Sequence, residues 1–244
     1  MSDAWMPGAR QLRETADGGP LHGGAPRAVW QVAGADPAEV SARSAAERLC
    51  ELGRASHLTW NPRSGETIQL VSILRAGRSL GGQEGLAPPG RAGTEDSADG
   101  PGRSEPGRSE PAEANRLAGV NSEGRLCVQI CVVGFAWDPF TSGPMTGLRH
   151  ILDWLDSWGM PRRWPAGRPA AFNCEYTGCR SRRLWAAGGH FGASQVPDAA
   201  TAGPGEIEIE RLTGWAAPPT TGIRPPARGG PARGGPARAL TRTG

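Results

Sequence analysis

The chain contains no lysine: all 27 of its basic residues are Arg. Beside abundant Ala, Gly and Pro, this usage marks a coding bias, so the Arg count alone carries no argument for nucleic-acid binding. Cysteine is sparse and odd in number, with Cys50, Cys127, Cys131, Cys174 and Cys179 in 244 residues, which excludes a disulfide scaffold. Long hydrophobic runs are missing, and no apolar stretch approaches the length of a membrane span. Met1-Ser-Asp-Ala-Trp-Met-Pro-Gly8 lacks the basic start and apolar stretch of a signal peptide, so the chain is expected to be soluble and cytoplasmic when made.

What is present is enough for one domain with ornaments, at 25.5 kDa. The 37 Gly and 23 Pro are unevenly spread. Residues 1–28 are polar and aperiodic, an arm with Trp5 and Met6 docked on the domain. Residues 81–114 have almost no large apolar side chain and repeat Gly102-Arg-Ser-Glu-Pro106 as Gly107-Arg-Ser-Glu-Pro111. Such a segment cannot bury enough to offset its ordering entropy, so it reads as a disordered insertion in a domain of residues 29–215. Residues 216–244 hold Arg224, Arg228, Arg233, Arg238 and Arg242 and no acid, a flexible tail suited to weak, salt-dependent polyanion binding.

Between the ornaments the pattern alternates. Arg27 to Ala33 predicts a short strand. Asp36-Pro-Ala-Glu39 predicts a helix start, with Asp36 as N-cap and Ala42, Ala45, Ala46, Leu49 and Cys50 as the buried stripe. His57 to Asn61 and Glu66 to Leu74, joined by Pro62-Arg-Ser-Gly65, predict a hairpin. Arg125 to Phe135 is nearly continuously apolar, as a strand buried on both faces would be. A second helix is predicted from Thr141, with Leu148, Ile151, Leu152, Leu155 and Trp158 facing the core and Gly159 ending it. His150 falls on its solvent side, and Trp154, off the stripe, is expected at a groove wall. Cys174 and Cys179 suggest a local disulfide. Glu206, Glu208 and Glu210, alternating with Ile207 and Ile209, suggest an edge strand or a last helix.

Several stretches go further than pattern: His57-Leu-Thr-Trp-Asn-Pro62 with Gly65-Glu66, Arg75-Ala-Gly-Arg-Ser-Leu80, Asn121-Ser-Glu-Gly124, Ile130-Cys-Val-Val-Gly134, Trp164-Pro-Ala-Gly-Arg-Pro169, Ser181-Arg-Arg-Leu-Trp185 and Ser194-Gln-Val-Pro197. Together they resemble the zinc-dependent N-acetylmuramoyl-L-alanine amidases, the type 2 amidase or peptidoglycan-recognition family, in actinobacterial or phage-type form. The resemblance spans about residues 3–80 and 115–210. It implies an α/β fold, a mixed central β-sheet flanked by helices, with a peptidoglycan groove over one face. It also matches the three zinc-ligand positions to Gln31, Ala193 and Gly203, the catalytic Glu to Cys131, and the oxyanion donor to Thr201. Three protein ligands and a nearby base are what zinc-assisted amide hydrolysis needs. No residue in this set supplies that chemistry.

The resemblance therefore implies a catalytically inactive, amidase-like shell that binds peptidoglycan or muropeptide fragments without a cofactor. Trp60, Arg75, Arg78, Trp185, His190 and Gln195 are its candidate binding residues, since aromatic rings and guanidinium groups suit sugar faces and stem-peptide carboxylates. The alternative is an active zinc amidase with rearranged ligands drawn from His190, Cys131, Cys174 and Cys179. A decayed prophage-type product is a third reading. Cell-wall action would need phage-type lysis or another export route.

Overall fold

A computed structural model describes residues 2–13, 17–80, 119–171, 180–197, 199 and 203–214. The insertion, the tail, Thr201, Cys174 and Cys179 lie outside the described residues. Six strands form one sheet in the order β1-β4-β3-β5-β2-β6. They are β1 (Arg10–Gln11), β2 (Arg27–Val32), β3 (Leu58–Trp60), β4 (Thr67–Gln69), β5 (Cys127–Val132) and β6 (Gly189–Gly192). β3, β5, β2 and β6 run parallel, while β4 pairs antiparallel with β3 and parallel with β1. The sheet is thus mixed, with helices α1 (Ala42–Glu51), α2 (Leu148–Ser157), α3 (Arg182–Ala187) and α4 (Ile209–Thr213).

Because successive strand residues point to opposite faces, the central strands feed two cores. On one face Trp30, Trp60, Leu58, Ile130 and Val132 pack with Leu148, Ile151, Leu152, Trp154 and Leu155 of α2. On the other, Val29, Cys127 and Phe191 pack with Trp185 of α3, while Ala42 and Ala46 of α1 meet Ile68 and Leu70. Every residue of β5 is buried, as its continuous apolar run predicts.

Three boundaries differ from the sequence pattern, each for a local reason. α1 begins at Ala42 with Ser41 as N-cap, its hydroxyl accepting from the Ser44 amide at 3.0 Å. Asp36 instead closes a tight turn by accepting from the Ala38 amide, and the Asn61 carboxamide takes the Pro37 and Val40 carbonyls. α2 starts at Leu148, since Gly147 is left-handed at φ 83° and residues 140–142 form a separate 3₁₀ turn. β4 ends at Gln69, well short of Leu74.

The arm is more firmly held than its composition suggests. Gln69 accepts from the Met6 amide at 2.6 Å and donates to the Ala4 carbonyl, which places Met6 in the core. Trp154 is buried there too, its indole donating to the Asp3 carbonyl, rather than standing at a groove wall. Among the described residues, no helix is long and apolar enough to cross a membrane.

Candidate functional site

The C-terminal ends of the parallel strands are where open α/β sheets leave room for ligands. A groove of about 620 Å³ opens there between the sheet and α1, with Gln31, Cys131 and Ser79 in its floor and Arg48, Leu49 and Arg54 among its walls. Gln31 and Cys131 are register partners on β2 and β5. Trp30 pairs with Gly192, so Ala193 follows beside Gln31 at the strand end. Gly203 lies against the next residue: a Cβ built on it would sit 2.3 Å from Ser194 Oγ and 2.7 Å from Ser194 Cβ. Four positions from three parts of the sequence therefore gather at one end of the sheet.

The groove floor is polar but uncharged. Gln31 Nε2 donates to Ser79 Oγ at 2.6 Å, and Ser79 Oγ donates to Gln129 Oε1 at 2.7 Å. Gln129 Nε2 continues the chain to Asn121 Oδ1 at 2.8 Å, and Arg54 Nη2 binds the Ser79 carbonyl at 2.9 Å. Burial pushes the Cys131 thiol up to about 12, with Arg54 drawing it slightly back. A neutral thiol at that position neither accepts a proton from water near pH 7 nor attacks as a thiolate.

Zinc does not fit these residues. Gln31 can offer only a neutral amide oxygen, a poor zinc donor, and Ala193, with no donor atom, is fully buried among Val29, Trp185, Phe191 and Val196. The space a side chain at 203 would need is filled by Ser194. Among the described residues, no three His, Cys, Asp or Glu side chains converge as a metal site. His190 and Cys131 cannot share an ion either. His190 stacks on Trp30 on the α2 face, while Cys131 partners Gln31 on the groove face.

The candidate binding residues separate into two kinds. Trp60, Trp185, His190 and Gln195 are buried, with side chains engaged in the core instead of facing a groove. Trp60 Nε1 donates to the Thr146 carbonyl, and Trp185 Nε1 to Glu123 while Arg27 lies over its ring at 4.7 Å. His190 Nδ1 accepts from Trp30 Nε1 at 3.0 Å, and its ring lies between Trp30 and Trp164. Gln195 Oε1 accepts from Trp164 Nε1 at 2.7 Å and from the Gly192 amide at 3.0 Å. Large aromatic groups with one polar tip meet both their needs in such places, which their residue type alone does not disclose. Arg75 and Arg78 are exposed, but Arg75 is held by a two-bond pair with Asp17, which holds that carboxyl below its ordinary range.

Sequence reasoning missed Ser79, Arg48 and Arg54. Ser79 had a signal, since it closes Arg75-Ala-Gly-Arg-Ser-Leu80. Arg48 and Arg54 had none beyond lying on and just after an amphipathic helix. No protein-family model, curated protein or solved structure matches the chain.

Proposed function

We propose that the chain is an amidase-like scaffold of the type 2, peptidoglycan-recognition kind that binds peptidoglycan or muropeptide fragments without hydrolysing them. One observation carries this reading: Gln31, Cys131, Ala193 and Gly203, matched from sequence motifs alone, lie together at the C-terminal edge of one sheet. Unrelated positions have no reason to converge in this way. Their side chains lack the donors that zinc needs, so the reading is of a binder and not a hydrolase.

The groove suits part of such a ligand. Arg48 and Arg54 offer guanidinium groups, and Glu47 and Glu51 carboxylates, to the charged ends of a stem peptide, while Gln31 and Ser79 offer a polar floor to its amides. The experiment is calorimetric titration of the full chain with a disaccharide-pentapeptide, once with a chelator and once with zinc, while release of free peptide is followed by chromatography. Equal binding in both, with no release, is expected. Zinc-dependent release would overturn the non-hydrolytic reading, and absence of binding would overturn the whole of it.

A further inference from the structure

The direction of the hydrogen-bond chain under the groove follows from one backbone amide. The Ser79 N–H can only donate, and it meets Gln129 at 2.9 Å, so the atom it meets is the oxygen Oε1. Ser79 Oγ lies 2.7 Å from that same oxygen and spends its single proton there. It can then only accept from Gln31, which fixes Gln31 Nε2 toward Ser79 and turns Oε1 the other way. Among the described residues no donor reaches Gln31 Oε1, and the sealed side-chain atoms without a hydrogen bond are His190 Nε2 and Ser194 Oγ. Gln31 is only 3% exposed, yet its Oε1 is not sealed: it faces the groove that the residue lines.

The surroundings decide what this oxygen can take. The amides of Ala33, Gly34 and Ala35, on the lip of the groove, are spent on the Val132 and Gly134 carbonyls, so they add no donor. Glu47 is paired with Arg43 and Glu51 is exposed at the rim, so no carboxylate stands at the floor. A carboxylate ligand there would set oxygen against oxygen, and an ammonium would lose its water without gaining a counter-charge. A neutral group with N–H bonds meets neither cost. A primary carboxamide carries two of them, with a carbonyl to which Arg48 on the wall can donate. We infer that Gln31 makes this groove selective for a primary carboxamide over the corresponding carboxylic acid. The group is the same on a glutamine side chain of an ordinary peptide and on an amidated stem peptide. The second source rests on the reading above, whereas the chemistry of the floor does not.

The test is calorimetric titration of the full chain with two pairs of pentapeptides. One pair is a stem peptide with isoglutamine or isoglutamate at its second residue; the other is an unrelated linear peptide with Gln or Glu at its centre. In at least one pair the carboxamide member should bind about tenfold tighter or more. Gln31→Met keeps the length of the side chain and removes the acceptor, so the ratio should fall to about one. Ser79→Ala releases the Gln31 amide to turn its nitrogen to the groove, and should shrink the preference or reverse it, which a loss of packing alone would not do. Equal binding within both pairs, no binding of either, or a ratio that both variants leave unchanged overturns the subsite. A preference within the linear pair, with no binding of the stem pair, upholds the subsite and overturns the stem-peptide reading. Stem peptides that bind without preference, beside linear ones that show none, do the reverse.

Discussion

The His57 ring donates from Nε2 to the Arg75 carbonyl at 2.8 Å and accepts at Nδ1 from the Gln129 amide at 3.1 Å. Both nitrogens are thereby committed to the neutral form. His190 reaches the same form differently: Trp30 occupies Nδ1, and Nε2 is buried without a hydrogen-bond partner among the described residues. Burial pulls each ring down to about 4 from the ordinary 6.5. The unfolded chain thus takes up protons at these rings before the folded one does. Their contribution is complete above pH 6.5 and is lost as pH falls from there toward 4. Each shift corresponds to roughly 3 kcal/mol. Urea midpoints should be flat between pH 7 and 8 and drop steeply between pH 6.5 and 4; a flat profile through that lower window would contradict the assignment. Gly203 makes a second case at this scale. Gly203→Asp, which introduces the ligand type of the family its motifs resemble, drives a Cβ into Ser194 and should lower stability by about 1–3 kcal/mol in urea melts.

At the scale of elements, the motifs that carry the resemblance act as braces. Trp164-Pro-Ala-Gly-Arg-Pro169 and Ser194-Gln-Val-Pro197 are one hydrogen-bonded unit, since Gln195 takes the Trp164 indole and the Gly192 amide and donates to the Gly167 carbonyl. Asn61 does the same for the hairpin and α1. Its Oδ1 accepts from the Arg63 and Ser64 amides while its Nδ2 takes two carbonyls of the loop before the helix. Gln195→Ala leaves two buried donors without acceptors, a loss of about 3 kcal/mol. A much smaller change in a denaturant melt would mean that water replaces the amide. These braces explain which parts of the fold were legible. Strands β2 and β5 and the buried stripe of α2 show in apolar periodicity. The starts of α1 and α2 do not, because Asn61 and Glu66, from another element, decide where α1 begins, and Gly147 sets α2. Of the candidate positions, Gln31 and Cys131 are neighbours because β2 and β5 pair in register, which no sequence pattern discloses. Which aromatic groups face solvent was not legible either, because a Trp in a strand and a Trp on a loop look alike in a sequence.

For the whole molecule, the groove should be indifferent to zinc. A ligand that binds only the folded state raises its melting temperature. Here equimolar zinc should leave the thermal midpoint of the folded chain unchanged within about a degree, and a clear rise reversed by chelator would mean that ligands outside the expected set converge. The sheet order holds a further consequence. β2 is clasped by β5 on one side and by β6 on the other, and both reach it from much later in the chain. Until Gly192 has left the ribosome, a strand that belongs in the middle has a bare margin, and long-range pairings of this sort close slowly. The sheet therefore cannot seal until β6 has been made, and a chain halted before it presents an adhesive border to its neighbours.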